Sequence, residues 1–391
     1  KDAYKKPVIN AGNYRDPAVV EDVLASGDVD IVGIGRGLIA DPEWVKKVEH
    51  DETDLLRKCI SCNVGCAGNR IGINRPIRCT VNPAVPEGDI YKKLRVNKNC
   101  NVVVIGGGTA GLEAACTAAE VGCNVFLFEK SNKLGGLSEF ISDLPSKTRM
   151  KDFPKYLRAR AKSLPNLYTF LNTEASIEEI NKFHPDIVVN ATGSHPVLPP
   201  IPGLRENIAA GNLDDIFIMI NNVTAGKYPE DFCKGKKVLV MGGGSVGLDI
   251  IEYFAPLGAD CTIVDMLPTI GAVADPITKC SIRETFDVNN VKQYVNTAIQ
   301  EVKEHSIVVK TPEGNVEELE FDLGFSALGL AAYNPILNDL HKEYDETDVD
   351  IYNIGDSVRA RHIMEGTMDG RAILNVLDKR GLLDLSEIEL A

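Results

Sequence analysis

Apolar residues enter this chain as short β-branched runs, and each early run closes on a glycine. PVINAG at 7–12 and VDIVGIG at 29–35 are the first two, with a helical pattern from Asp16 to Ser26 between them. Strand, helix, strand at this spacing suits a parallel pair joined by a crossover. From 51 to 97 the periodicity stops. Gly, Asn, Arg and Pro dominate there, so the stretch reads as a loop module held by something other than a core. Strand–glycine–helix patterns then begin at Asn101 and again at Lys237.

These two units repeat one another. VVVIGGGTAGLEAA at 102–115 aligns with VLVMGGGSVGLDII at 238–251, and in the same register Glu129 falls on Asp265 and Gly135 on Gly271. Gly106, Gly108 and Gly111 form G-x-G-x-x-G in the first copy; Gly242, Gly244 and Gly247 do so in the second. A side chain at the first glycine would clash with the turn, at the second it would block a pyrophosphate, and at the third it would push the helix off the sheet. The helix N-terminus then offers free N–H groups to the phosphates. Glu129 ends the strand NVFLFE and Asp265 ends CTIVD, where a carboxylate can accept hydrogen bonds from a ribose diol. One glycine turn is a weak signal, but strand, helix and acid recur around both copies. The expected class is therefore α/β, with two Rossmann-like dinucleotide-binding domains.

Length and composition add limits. At 391 residues there is room for two or three domains. No run approaches the roughly 20 apolar residues of a membrane span. KDAYKKPVIN carries no signal core, and a net charge of −14 disfavours nucleic acid. A cytoplasmic protein with neither membrane nor nucleic-acid partner is expected.

Four of the ten cysteines crowd together as Cys59-x2-Cys62-x3-Cys66-x12-Cys79. Four thiolates can hold a [4Fe–4S] cluster or a zinc ion. Structural zinc generally uses two C-x-x-C knuckles. Three crowded cysteines, one distant partner and a following Pro83 favour iron–sulfur, with zinc as the alternative. Cysteines 100, 116, 123, 233, 261 and 280 read as core or surface thiols, with no thioredoxin-reductase-like dithiol among them.

Further segments carry a resemblance. KSNKLGG after Glu129, NATGSHP at 190–196 and YNIGDSVRARHIMEGTMDG at 352–370 resemble the FAD domain of the two-dinucleotide-domain flavoprotein reductases. That resemblance implies FAD contacts at Gly106, Gly108, Ala110, Gly111, Glu129, Lys130, Gly136, Ala191, Thr192, Gly193, Gly355, Asp356 and Ile363. In that family the aspartate matching Asp356 holds the ribityl chain, and the helix from about Ile363 points its positive end at the flavin pyrimidine. The second copy then takes the nicotinamide nucleotide, through Gly242, Gly244, Ser245, Val246, Gly247, Asp265 and Gly329. Asp265 favours NADH by repelling a 2′-phosphate, and no Arg or Lys lies between Met266 and Ile277 to receive one.

The whole order resembles the iron–sulfur branch of the old yellow enzyme family, to which 2,4-dienoyl-CoA and enoate reductases, bile-acid oxidoreductases and trimethylamine dehydrogenase belong. GIGRGLIADPEW at 33–44 looks like the end of its FMN-binding (β/α)8 barrel, and CISCNVGC…CTVNP at 59–83 like its cluster loop. The implied domains are a barrel remnant (1–50), an iron–sulfur module (51–97), an FAD domain (98–215 and 326–391) and an NAD(H) domain (216–325). Gly12, Gly35 and Arg36 are what remains of an FMN phosphate site, with Asn13 where a second glycine is expected after Ala11 and Gly12. A barrel takes about 250 residues, so this chain is expected to be a portion of a longer protein.

The implied activity passes a hydride from NADH to FAD, then single electrons through the cluster to FMN, which reduces an activated C=C bond in a small substrate. Hydride transfer to FAD needs no side-chain acid or base, and none is assigned. An electron-input subunit similar to the small subunit of glutamate synthase, or a non-catalytic redox or nucleotide sensor, are the rival readings. Self-association into a homo-oligomer stays open.

Overall fold

The computed structural model describes residues 5–87, 94–272, 274–345 and 347–386; the domain assignments made for 1–4, 88–93, 273, 346 and 387–391 lie outside them. The chain forms two compact units. One comprises Lys1–Phe140, Arg149–Gly193 and Ala332–Ala391, the other Ile141–Thr148 and Ser194–Ala331.

In the first unit a five-stranded parallel sheet runs in the order 350–353, 187–190, 101–105, 124–128, 167–170. Its central strand Asn101–Ile105 is buried on both faces, which explains the unbroken apolar run NVVVI. Helix Thr109–Glu120 follows and is buried at ten successive positions from Ala110 to Ala119. Alanine and glycine dominate those positions, so other elements can approach its backbone closely. Ahead of the sheet, helix Pro17–Ala25 starts as the sequence predicts: Asp16 caps it through the Ala18 N–H, and Pro17 occupies its first turn. Strands Ile9–Asn10 and Ile31–Val32 flank it as a parallel pair, shorter than the runs predicted there.

The second unit repeats the plan. Its parallel sheet runs 292–294, 260–264, 237–241, 323–326, 213–215. A three-stranded antiparallel sheet of 298–302, 306–310 and 316–320 is added. Strand Leu213–Asp215 pairs with Leu323–Ser326, so this unit reaches beyond the expected 216–325 on both sides. No helix among the described residues is long and apolar enough to cross a membrane.

Candidate functional site

The two glycine turns are built alike, each inside its own unit. Gly106 has φ +104°, and a Cβ there would lie 2.3 Å from the Ala191 carbonyl oxygen. A Cβ on Gly111 would lie 1.9 Å from the Gly106 oxygen. In the second unit the figures are 2.3 Å from Gly242 to the Ala327 oxygen and 1.9 Å from Gly247 to the Gly242 oxygen. These glycines are demanded by the protein's own packing. The middle ones are not: a Cβ on Gly108 meets only Gly136 Cα at 3.9 Å, and one on Gly244 meets nothing within 4 Å. Their lack of a side chain leaves open space at a helix N-terminus, the cradle a pyrophosphate needs.

The acidic residues hold these turns. Glu129 accepts from the Gly107 and Ser131 N–H groups, both at 2.8 Å, and is buried. Asp265 accepts from Gly243 N–H at 2.5 Å and Leu267 N–H at 2.7 Å. Each carboxylate keeps further lone pairs for a diol. Ser245 and Val246 form the first turn of helix Ser245–Phe254, and Gly329 adopts φ +110°. The copies differ at one point: Gly136, at φ +54°, packs against Gly108, whereas Ala272 holds the matching position in the second unit.

Around the first turn the predicted residues gather. A Cβ on Gly355 would sit 2.7 Å from Ala110 Cβ, and one on Gly370 would sit 2.6 Å from the Ala110 oxygen. Helix Ile363–Arg371 therefore lies close against helix Thr109–Glu120. Lys130 Nζ stands 5.3 Å over the Tyr333 ring, and Thr192 Oγ1 donates to the Tyr333 carbonyl at 2.5 Å. Gly193 has φ +83°. Asp356 accepts from the Arg361 N–H at 3.1 Å. Beneath Ala191–Gly193 lies a polar knot that the sequence reading missed: buried Asn190 donates to Asn334 and Asn353 at 2.8 and 2.9 Å, and Ser357 donates to the Asn190 carbonyl at 3.1 Å. Asparagines at 190 and 353, inside two flavin-type motifs, were its available signal.

The four predicted cysteines converge. All of them line one small pocket, together with Arg36, Asn63 and Thr80. Cys66 rides on a π-helical turn, Val64–Gly72, inside the stretch expected to be loop. Ser61 and Asn63 adopt φ of +58° and +60°, turning the chain so that Cys62 faces inward with Cys59. The Ser61 N–H donates to Cys59 Sγ at 3.3 Å, and Cys62 Sγ lies 3.1 Å from Thr80 Oγ1. Burial pushes the Cys79 thiol up to about 11 and raises that of Cys62 as well. Among the described residues no three His, Cys, Asp or Glu side chains close around a single ion. The four thiols line one pocket and one of them accepts from a backbone amide, a donor set whose chemistry is compatible with an iron–sulfur cluster.

The thiol loop is fastened to the flavin-type helix. Thr367 Oγ1 donates to the Thr80 carbonyl at 2.9 Å, Arg78 Nη1 to Met368 Sδ at 3.6 Å, and Met364 Sδ would lie 2.9 Å from a Cβ on Gly65. A second clip was not foreseen. Arg57 joins Asn82 at 2.5 Å and Tyr156 at 2.7 Å, tying the loop's two ends to helix Asp152–Ser163. The remaining cysteines are buried except Cys280, which is exposed.

At the strand ends, Gly12 and Gly35 flank the corner predicted for an FMN phosphate. The Arg36 guanidinium is engaged with neighbouring amides: Nη1 donates to Asn63 Oδ1 at 2.6 Å and Nη2 to Asn13 Oδ1 at 3.0 Å.

Residues 101–363 match the pattern of the pyridine nucleotide-disulphide oxidoreductases, and residues 1–54 that of the NADH:flavin oxidoreductase / NADH oxidase family. An NADH oxidase of Thermoanaerobacter brockii is 35% identical over 367 residues, covering 93% of this chain and 54% of that protein. A bilirubin reductase of Mediterraneibacter gnavus is 32% identical over 380 residues, covering 96% and 56%. A 2-naphthoyl-CoA reductase solved with 2-naphthoyl-CoA superposes with a TM-score of 0.81 at 28% identity, over 95% of this chain and 54% of that one. The chain thus spans about half the length of the curated relatives it matches.

Proposed function

Because this chain belongs to the pyridine nucleotide-disulphide oxidoreductase family, we propose that it is the electron-input portion of an NADH-dependent flavin and iron–sulfur oxidoreductase. The match of residues 1–54 to NADH:flavin oxidoreductases favours this over a subunit like that of glutamate synthase. Binding of FAD and a pyridine nucleotide follows from the family. FAD would be held by Gly106, Gly108, Gly111, Glu129, Ala191–Gly193 and Asp356, and NADH by Gly242, Gly244, Gly247 and Asp265. A [4Fe–4S] cluster would be held by Cys59, Cys62, Cys66 and Cys79. When bound, FAD would supply two-electron acceptance from NADH together with one-electron release, and the cluster a one-electron relay, chemistry suited to reducing an activated C=C bond in a longer protein that also holds FMN.

One observation carries the reading. Helix Ile363–Arg371 begins just beyond the Gly355–Asp356 turn and is hydrogen-bonded through Thr367 to the residue after Cys79. The same short helix thus serves the flavin-type motif and the thiol loop. Its N-terminal N–H groups would favour negative charge on a flavin held beside them. Asp265 accepts from ribose hydroxyls and repels a 2′-phosphate. No side chain needs to move a proton.

Anaerobic NADH added to protein holding FAD should bleach the visible flavin band and produce the paramagnetic signal of a reduced cluster. An unchanged spectrum overturns the proposal. Steady turnover with an artificial acceptor separates it from a sensor, which would bind NADH without turning it over.

A further inference from the structure

We infer that Arg36, gripped by Asn13 and Asn63, is a positioning residue for the thiol cluster site; this rests on the iron–sulfur reading above. Three observations lead there. Arg36 lines the four-thiol cavity itself. Its guanidinium spends one nitrogen on Asn63, in the turn between Cys62 and Cys66, and another on Asn13, at the end of a different segment. Asn13 Oδ1 also accepts from Ser61 Oγ at 3.1 Å, so one amide oxygen collects both the cation and the loop hydroxyl.

Asn13 has φ +58°, the left-handed conformation that a glycine adopts freely and asparagine tolerates. The departure from glycine therefore keeps the backbone turn and adds an acceptor. Ser61 and Asn63 are left-handed too, and each is held by this clip. Releasing it frees the turn that aims Cys62 inward. A fixed guanidinium beside four thiolates also offsets negative charge, and so favours the reduced, more negative cluster.

The test uses the intact chain, reconstituted anaerobically with iron and sulfide. Four proteins are compared: the parent, Arg36→Lys, Arg36→Gln and Asn13→Gly. Iron content and FAD absorbance come first. A parent that takes up FAD but no iron sinks the iron–sulfur reading and this inference with it. With iron bound in the parent, the readouts are iron release to a chelator and the cluster midpoint potential from EPR titration. Loss of this hydrogen-bonding shell should speed iron release by roughly tenfold or more in Arg36→Gln. The potential should fall in Arg36→Gln and be largely retained in Arg36→Lys, which keeps the charge. Asn13→Gly, with its backbone turn intact, should quicken iron release while FAD content stays at the parent level. A parent-like potential and release rate in both Arg36→Gln and Asn13→Gly would overturn the inference with the iron–sulfur reading still standing. So would equal shifts of potential in the lysine and glutamine variants, since these would deny the charge any part.

Discussion

At the residue scale, three glycines of one motif carry different burdens, and mutation should separate them. A methyl group at Gly111 would fall 1.9 Å from a backbone oxygen, which no rotamer change relieves. Gly111→Ala should therefore lower the melting temperature of the protein even without cofactor. Gly108→Ala meets open space and an ordinary φ of −77°, so its melting temperature without FAD should stay at the parent value. Its FAD dissociation constant should nevertheless rise, because the methyl enters the phosphate cradle; calorimetric titration and thermal melts on the same preparations check both halves. Asp265→Asn keeps an acceptor for the Gly243 N–H and removes the charge. The ratio of kcat/KM for NADH over NADPH should fall by about tenfold, which is about 1.4 kcal/mol of discrimination. The division between packing glycines and the open middle one was legible before any coordinates, since the spacing of the motif assigns it. The polar knot at Asn190 was not, because its members are far apart in sequence and asparagine pairs leave no periodic trace.

At the scale of elements, parallel strands and the helices after them followed from β-branched runs and glycines, whereas the π-turn Val64–Gly72 did not. Gly65, Gly68 and Gly72 give it poor helical propensity, and its form depends on remote contacts such as the Arg78 N–H to Gly65 carbonyl bond at 2.7 Å. Equally hidden was the buried pair between helices Thr109–Glu120 and Asp152–Ser163. Arg160 bonds Glu113 at 2.8 Å and Glu120 at 2.7 Å, and the Glu113 side chain is only 1% exposed. Arg160→Met should cost about 3–5 kcal/mol, because it strands a buried carboxylate. Adding Glu113→Gln should recover part of the loss, and urea midpoints of the single and double variants would show it. Burial raises the Glu120 carboxyl, but the charge and hydrogen bonds of Arg160 outweigh this and hold it below the usual carboxylate value. A lowered folded-state pKa contributes stability that is present above the ordinary carboxylate pKa and lost as pH falls through the folded value. Glu120 is 39% exposed, so solvent screens the effect. Parent protein should lose urea resistance between neutral and acidic pH more steeply than Arg160→Met; parallel slopes would refute the assignment.

At the scale of the whole molecule, exposed large apolar side chains are over-represented between Ile9 and Val45, which hold six of the twenty among the described residues. Ile9 and Ile31 face each other in register on the two-residue parallel pair, yet they are 67% and 51% exposed, and Val19, Leu38 and Val45 are open as well. A two-stranded pair of this size has little stability of its own, and both of its edges offer unpaired backbone groups. Both observations bear on the expectation, drawn from resemblance, that the segment matching the NADH:flavin oxidoreductase family belongs to a larger barrel. The consequence is a surface that attracts whatever can cover it. This chain should self-associate, and Ile9→Thr with Ile31→Thr should shift it toward monomer in light scattering, because polar β-branched residues keep strand propensity while removing the apolar face. FAD content and NADH bleaching should be unchanged in that variant, since neither residue touches the glycine turns or the thiol cavity. A longer chain that supplies further barrel strands should show the opposite sensitivity: the isoleucines would be interior there, and the same double substitution would lower its thermal stability. Insensitivity in both contexts would mean that these strands are not barrel strands at all, and would detach the C=C reductase reading from the electron-input site.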